Sequence, residues 1–581
     1  MHSIYKINIK KIPSFLKRIV LKHKVEVFLF FYFILMFIFY SCTTITNSQS
    51  LIHVDDREIW LVSHNIYKNH SLTYEEPLNK YFKHNVFNTF ETVFVNNKIV
   101  PRRALGIYFL TAFSFLFGEN GPFFMISILG LASCIFFYLF AKNLFDKKIS
   151  LLSSVLLSSS FPIIHWSNML FNNIPAFSFY MIGLFFFSEI LVNKKNKMIF
   201  YILSSIFFSL AIWIRYEYLI FVLLLIVWII RDRKSINFKY LIISIIVLIS
   251  ILFPILILNN YLYKSPFLIG YFVKINEQTE NQISDTKKRF PETDIEKRPQ
   301  KYIIKIIGEL KSTFITIFSN LFRFDINVVF NNYKNFIFNL FPQVLPFTLL
   351  GIVNGLKNKD KNIINFTIYS IFVLILWMFY IMRSYYFGGE SAMAGASMIR
   401  YLFLTYSCII LFSIYLIFKL LNKLPERLMY FITILIVITS ILNTVNLSFY
   451  GTLGMAKTHE IKKNINKIDT AIEDLPSKSI IINDTFNYAI GIRNRKVFDM
   501  SMIYSPAIID IDSLNPKTND SEVVFTTIKY TKILLDLNYP VYILEKNHFN
   551  LVKNIEEKEE ILDTKKVIWG DYFEIYKVFY R

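Results

Sequence analysis

The sequence predicts a mainly α, polytopic membrane helical bundle of about eleven spans, with a small C-terminal α/β domain. Three observations predict it. Apolar runs recur along the chain at roughly 20 residues, the length a bilayer demands. Lys and Arg collect in short segments between those runs, as the positive-inside rule describes. Only after residue 447 does the pattern change to short, strand-like alternation.

Composition sets the outer limits. The 581 residues are 54% hydrophobic and 18% aromatic, with mean hydropathy +0.43. Soluble domains do not have this composition. The net charge of +21 would point to nucleic acid in a soluble chain. Here the basic residues flank apolar runs, so the charge reads as topology and no nucleic-acid partner is expected. The three cysteines, Cys42, Cys134 and Cys408, show no CxxC or Cys/His spacing, which argues against a zinc site or a disulfide framework.

Residues 1–24 carry Lys6, Lys10, Lys11, Lys17, Arg18, Lys22 and Lys24, so this end is expected to be cytoplasmic. Span 1 (25–45) is too long for a signal peptide and has no small-residue cleavage site, so it reads as a retained helix. The loop 46–103 then lies outside. The stretch 104–118 is apolar but short, and is expected to lie at the interface. Spans 2 to 7 follow at about 121–141, 149–165, 174–192, 198–214, 216–230 and 240–259. The polar region 260–336 is outside. Spans 8 to 11 fall at about 337–355, 363–382, 401–421 and 428–447. Each short loop assigned inside is basic, and the turns 166–173 and 384–399, assigned outside, contain no Lys or Arg before residue 400. The odd span count puts 448–581 outside. In that segment KSIIIND, PVYILEK and YFEIYKV read as strands, and 459–474 and 523–537 as helices. No glycine-rich phosphate loop is present there.

Five polar features are placed at the outer face, each with a plainer explanation beside the functional one. His53-Val-Asp55-Asp56-Arg57-Glu58 follows span 1; adjacent carboxylates there can meet a substrate or simply begin a solvated helix. Pro101-Arg102-Arg103 opens an aromatic segment ending at Gly118; its arginines can touch lipid headgroups. Ser160-Phe-Pro162-Ile-Ile-His165-Trp166 leads into Asn172-Asn173, and a lone His such as His165 is commonly structural. Arg215 and Glu217 sit between spans 5 and 6, where charges are costly and can merely neutralise one another. Arg400-Tyr401 opens span 10, where an arginine can snorkel to headgroups.

In this order, these five features resemble the GT-C superfamily of membrane glycosyltransferases. The nearest likeness is to the group of protein O-mannosyltransferases and lipid A aminoarabinose transferases. The motifs that carry it are Asp55-Asp56 after the first span, the segment 101–118, the span end 160–173, Arg215, and Arg400-Tyr401, together covering about residues 25–420. The resemblance implies a transmembrane catalytic domain over 25–447 and an extracytoplasmic domain over 448–581. It also implies a cell-membrane enzyme with its C-terminus outside, taking a monosaccharide from a polyprenyl-phosphate donor to a glycan, lipid or protein hydroxyl. Membrane lipids would surround it. Family members often carry a second acidic residue in the third-to-fourth span turn. Asn172-Asn173 stand there instead, which argues against a divalent metal bridging two acidic loops, and no other cofactor is implied. The Trp-Trp-Asp signature of oligosaccharyltransferases is absent.

Inverting transfer needs a carboxylate base for the acceptor proton. Phosphate is already a good leaving group, so a second carboxylic acid is not required, unlike glycoside hydrolysis. Positive charge on the developing phosphate is what such chemistry needs. Asp55 is therefore expected to be the base, with Asp56 as second choice. Arg102, Arg103, Arg215 and Arg400 are expected phosphate partners, supported by Glu217, Tyr401 and His165. A transporter or flippase for lipid-linked substrates is the alternative. Against it, the two halves show no internal repeat. A receptor or scaffold would leave the acidic pair without a role.

Overall fold

The computed structural model describes residues 24–45, 54–82, 92–95, 98–192, 197–263, 266, 333–383, 399–422, 424–450, most of 460–483, 496–499, 520–545, 551–558, 561–570 and 573–581. The turn 384–398, the basic segment 1–23 and most of 260–336 lie outside these, so the expectations placed on them are not addressed.

Helices cover every apolar run read from the sequence. They are α1 (Lys24–Ile45), α2 (Val54–Asn69, in the outer loop), α3 (Gly106–Ser114), α4 (Gly121–Leu144), α5 (Lys147–Ser158), α6 (Phe161–Trp166), α7 (Asn173–Leu191) and α8 (Met198–Ile214). There follow α9 (Tyr218–Arg231), α10 (Phe238–Tyr263), α11 (Leu345–Leu356), α12 (Lys361–Arg383), α13 (Phe403–Leu421) and α14 (Glu426–Tyr450). Among the described residues, α4, α7, α10 and α13 meet both the length and the hydropathy needed to cross a bilayer.

Two departures have clear causes. Span 3 is two helices, α5 and α6. Pro162 lacks an N–H to continue a helix and suits the first turn of a new one, so the chain breaks at Ser159-Ser160. The Tyr40 hydroxyl donates to the Ser158 carbonyl that the break leaves open. Span 8 begins late. Residues 334–338 form a wider π turn, and α11 starts only at Leu345, with Pro346 in its first turn. The stretch 104–118 is a nine-residue helix, α3, with a 3-10 turn over Phe115–Phe117. Such a helix is about 14 Å long, under half the hydrocarbon thickness. Gly118, at φ 93, closes it in a conformation that side chains disfavour.

The bundle has two distinct ends. At one, Glu26 meets Lys142 at 3.1 Å and Lys147 at 3.0 Å. There too, Asp232 meets Lys361 at 3.0 Å, and Arg231 Nε donates to Asn365 at 2.7 Å. The starts of α1, α5 and α12 thus share an end with the finishes of α4 and α9, as alternating spans require. The charged features of the outer loops gather at the opposite end.

The C-terminal unit is a five-stranded sheet. Its strands are β3 (Ile480–Asn483), β4 (Lys496–Asp499), β5 (Val541–Glu545), β6 (Leu562–Gly570) and β7 (Phe573–Tyr580), in the order β4-β3-β5-β7-β6. β4, β3 and β5 are parallel, and β7 pairs antiparallel with both β5 and β6. Ile480 and Ile482 pack beneath α15 (Asp520–Asp536) and α16 (Leu551–Lys558), while Ile481 packs against Ile468 and Ile472 on the other face. A strand buried on both faces reads as a continuous apolar run, which is why KSIIIND does not alternate. The described residues between 460 and 473 are helical, as predicted. β4, β6 and α16 were not anticipated. The loop after α1 reaches into this unit: Leu78 and Phe82 join its core, with Phe82 against Tyr530 at 4.8 Å between ring centres.

Candidate active site

The loop after α1 builds one half of the site. α2 begins at Val54, so Asp55 and Asp56 occupy its first turn, where the helix dipole favours carboxylates. Asp56, Arg57 and Glu58 are all buried. The side chain of Asp55 lies outside the described residues. Glu58, at 0% exposure, is the centre of a clamp. Its Oε1 accepts the Arg102 backbone N–H at 2.9 Å and the Tyr108 hydroxyl. Its Oε2 accepts Arg103 Nε at 2.8 Å. The Tyr108 oxygen also accepts the Arg103 backbone N–H at 3.2 Å. One residue earlier, the Pro101 carbonyl accepts the Tyr263 hydroxyl at 2.7 Å. Desolvating an ion pair is costly and is offset only when further hydrogen bonds satisfy the charges. The carboxylate here receives three donors. Arg103 is buried in consequence, and Arg102 remains partly exposed.

The strands leading in are β1 (Thr92–Val95) and β2 (Lys98–Pro101), an antiparallel pair. Just after them, Gly106 lets α3 lie against the end of α8. A Cβ at Gly106 would come within 2.6 Å of the Trp213 carbonyl carbon. That contact joins the first half of the site to the second.

The second half gathers residues from the ends of α6, α8 and α13. Arg215 caps α8 with extended backbone and is buried. It grips Glu217 through Nη2 at 2.6 Å and Nε at 3.4 Å. Its guanidinium lies 4.5 Å from the centre of the Tyr401 ring. The Arg400 guanidinium lies 5.1 Å from the same ring, 4.6 Å from Phe171 and 5.6 Å from Trp166. Two cations therefore share one tyrosine ring, whose negative face offsets part of their mutual repulsion. The turn before α7 holds both arginine-bearing segments. Asn172 Nδ2 donates to the Ile214 carbonyl at 3.4 Å, and Asn173 Nδ2 to the Arg400 carbonyl at 3.0 Å. His165 is buried and packs between Phe161 and Trp166, with ring centres 5.2 and 5.0 Å away.

The sequence-predicted residues thus fall into two sets. Arg215, Glu217, Arg400 and Tyr401 come into direct contact, backed by His165. Arg102 and Arg103 come together around Glu58, which sequence reading quoted but gave no role. Asn172 and Asn173 are used to hold backbone. Among the described residues, no three His, Cys, Asp or Glu side chains gather closely enough to hold a metal ion.

Residues 103–258 match the family model of the dolichyl-phosphate-mannose-protein mannosyltransferases. No curated protein matches the chain by sequence. Among solved structures, the chain is similar to ArnT from Cupriavidus metallidurans bound to undecaprenyl phosphate. The TM-score is 0.53 at 9% identity, over 94% of this chain and 98% of that one. It is also similar to the oligosaccharyltransferase AglB from Archaeoglobus fulgidus, in complex with an inhibitory peptide and a dolichol-phosphate. There the TM-score is 0.52 at 11% identity, over 91% of this chain and 70% of that one. At such identities the likeness is one of fold.

Proposed function

We propose, with the GT-C fold as premise, that this chain is a membrane glycosyltransferase using a polyprenyl-phosphate-linked monosaccharide and a hydroxyl acceptor. The observation that carries the reading is the pairing of Arg215 and Arg400 on Tyr401, at the same end of the bundle as the Glu58 clamp. Guanidiniums held by aromatic rings, Arg215 buried and Arg400 partly so, suit an anion of fixed position, because their geometry does not reorganise as charge develops. The ligands named for the neighbours, undecaprenyl phosphate and a dolichol-phosphate, favour a polyprenyl carrier.

In the proposed reaction, Asp55 takes the acceptor hydroxyl proton, with Asp56 as the reserve. The acceptor oxygen attacks the anomeric carbon from the face opposite the phosphate, and the carbon–phosphate oxygen bond breaks with inversion. Arg102, Arg215 and Arg400 stabilise the departing phosphate. Arg103, committed to Glu58, supports that loop. The site would face outward, with eleven spans, a cytoplasmic N-terminus and the sheet domain outside. The lysines at the opposite end of the bundle support that orientation.

The test is transfer of label from radiolabelled polyprenyl-phosphate sugars in membranes with and without the protein. Asp55→Asn is expected to abolish transfer while leaving the protein folded. Unchanged transfer in that variant would remove Asp55 as base. Passage of the intact lipid-linked sugar across the membrane, without bond cleavage, would favour a flippase.

A further inference from the structure

Most of α10 faces outward. Ile245, Ile249 and Phe253 are exposed, as suits a helix against lipid tails. Its buried residues are Ile255, Asn259, Leu262 and Tyr263, which share one face of the last turns. Two of these four are polar. A buried polar group is costly unless it is hydrogen-bonded. Both are bonded, and each reaches a different half of the site.

The Tyr263 hydroxyl donates to the Pro101 carbonyl at 2.7 Å. That carbonyl belongs to the peptide joining Pro101 to Arg102, whose N–H donates to Glu58 at 2.9 Å. Both polar ends of one peptide plane are thus held, from α10 on one side and α2 on the other. Glu58 carries the tie into α2, whose first turn holds Asp55. On the arginine side, Asn259 is hydrogen-bonded to Tyr216, the residue after Arg215, and Tyr216 in turn to the Leu105 main chain. Further back in α10, Pro254 has no N–H to give to the helix. In the turn before it, the Ile251 carbonyl accepts Trp213 Nε1 at 2.7 Å. α10 therefore holds the chain on both sides of Arg215, and its last residue holds the peptide before Arg102.

We infer that Tyr263 is a positioning residue. It ties the loop half of the site to the helix that braces Arg215, and so fixes the spacing between the carboxylate-bearing loop and the arginine pair. This rests on the proposed function and deepens it: alignment of acceptor base and donor phosphate depends on a hydroxyl that takes no part in the bond changes.

The test uses the full-length protein. Initial rates of label transfer in membranes are measured against donor concentration, and affinity for undecaprenyl phosphate by microscale thermophoresis in detergent. Tyr263→Phe keeps the ring and takes its donor from the Pro101 carbonyl. It should lower kcat about 10- to 100-fold, as small misplacements near reacting groups do. KM for the donor and affinity for undecaprenyl phosphate should stay within about threefold of wild type, because Arg215 and Arg400 keep their contacts with Tyr401. Trp213→Phe keeps a ring beside Phe109 and loses the bond to Ile251. It should show the same split to a smaller degree, and it carries the test if Tyr263→Phe fails to fold. The two bonds lie on one path, so the double variant should be no slower than the slower single variant.

A merely structural role would lower melting temperature and donor affinity together with rate. Loss of undecaprenyl phosphate affinity in step with kcat therefore overturns the inference. So does a wild-type kcat in Tyr263→Phe, or in Trp213→Phe where Tyr263→Phe does not fold. Losses that multiply in the double variant overturn it too. Absence of label transfer by the wild-type protein removes the proposed function itself, and the inference with it.

Discussion

Tyr401 is the most informative residue to change, because its ring carries two charges at once. Arg215 and Arg400 lie 4.5 and 5.1 Å from its centre. A cation–π contact contributes about 0.5–1 kcal/mol when exposed and about 2 kcal/mol when desolvated. Tyr401 is partly buried, so removing the ring forfeits two contacts, about 1–3 kcal/mol together. The two guanidiniums would then relax away from one another. If that loss falls on the transition state, Tyr401→Leu should lower kcat/KM by roughly 10- to 100-fold. Tyr401→Phe keeps both ring contacts and loses the long 3.3 Å bond from Arg400 Nη2 to the hydroxyl. It should stay within about threefold of wild type, since so long a bond contributes little. The assay is initial rate of label transfer against donor concentration, with melting temperature in detergent as a folding control. Equal loss in the Phe and Leu variants would refute the reasoning and assign the role to the hydroxyl. No loss in either would mean that the arginine pair does not depend on the ring.

Other outcomes follow from the sheet domain. Phe82→Ala should cost about 3–5 kcal/mol at the junction between the outer loop and the domain, the usual range for emptying a buried aromatic site. It should be read as faster proteolytic release of the C-terminal domain and slower label transfer. Glu545 is buried at the end of β5 and accepts the Val552 N–H at 3.1 Å. Burial raises its carboxyl above the usual range, as do Glu574 and Glu556, with partial offset from Val552 and Lys566. A raised carboxyl binds its proton more tightly folded than unfolded, so stability falls as pH rises from the ordinary value through the folded one. Glu545→Gln should therefore raise the melting temperature at neutral pH and leave it nearly unchanged in acid, checked by melts across that range.

The helical plan was legible because bilayer-length apolar runs and basic inner loops are local signals. They placed helices over every predicted span, and put Arg215 and Arg400 at one end, where the structure brings them to the same ring. The break in span 3 was also legible in principle, since Ser-Ser-Phe-Pro162 removes a donor and supplies a start. The role of Glu58 was not. Its partners lie 44 to 50 residues away, and an acidic residue in an acidic run carries no mark of which one turns inward. The same holds for Asn172 and Asn173. Their side chains serve backbone carbonyls of Ile214 and Arg400, contacts that only the folded chain brings together. β4 escaped for a different reason: a four-residue strand is too short to set up a period.

The seating of Leu78 and Phe82 in the core of the terminal domain has a consequence for how the protein is made. About 400 residues separate Leu78 from its neighbour Ile480. At ribosomal rates of about 5–20 residues per second, the first outer loop emerges roughly 20–80 seconds before its partner exists. During that interval two apolar side chains have no home, and the loop that leads to Arg102 and Arg103 lacks its outer anchor. Maturation of the active end therefore waits on the last stretch of chain to be translated, so a nascent or prematurely terminated protein would occupy the membrane without completing the site.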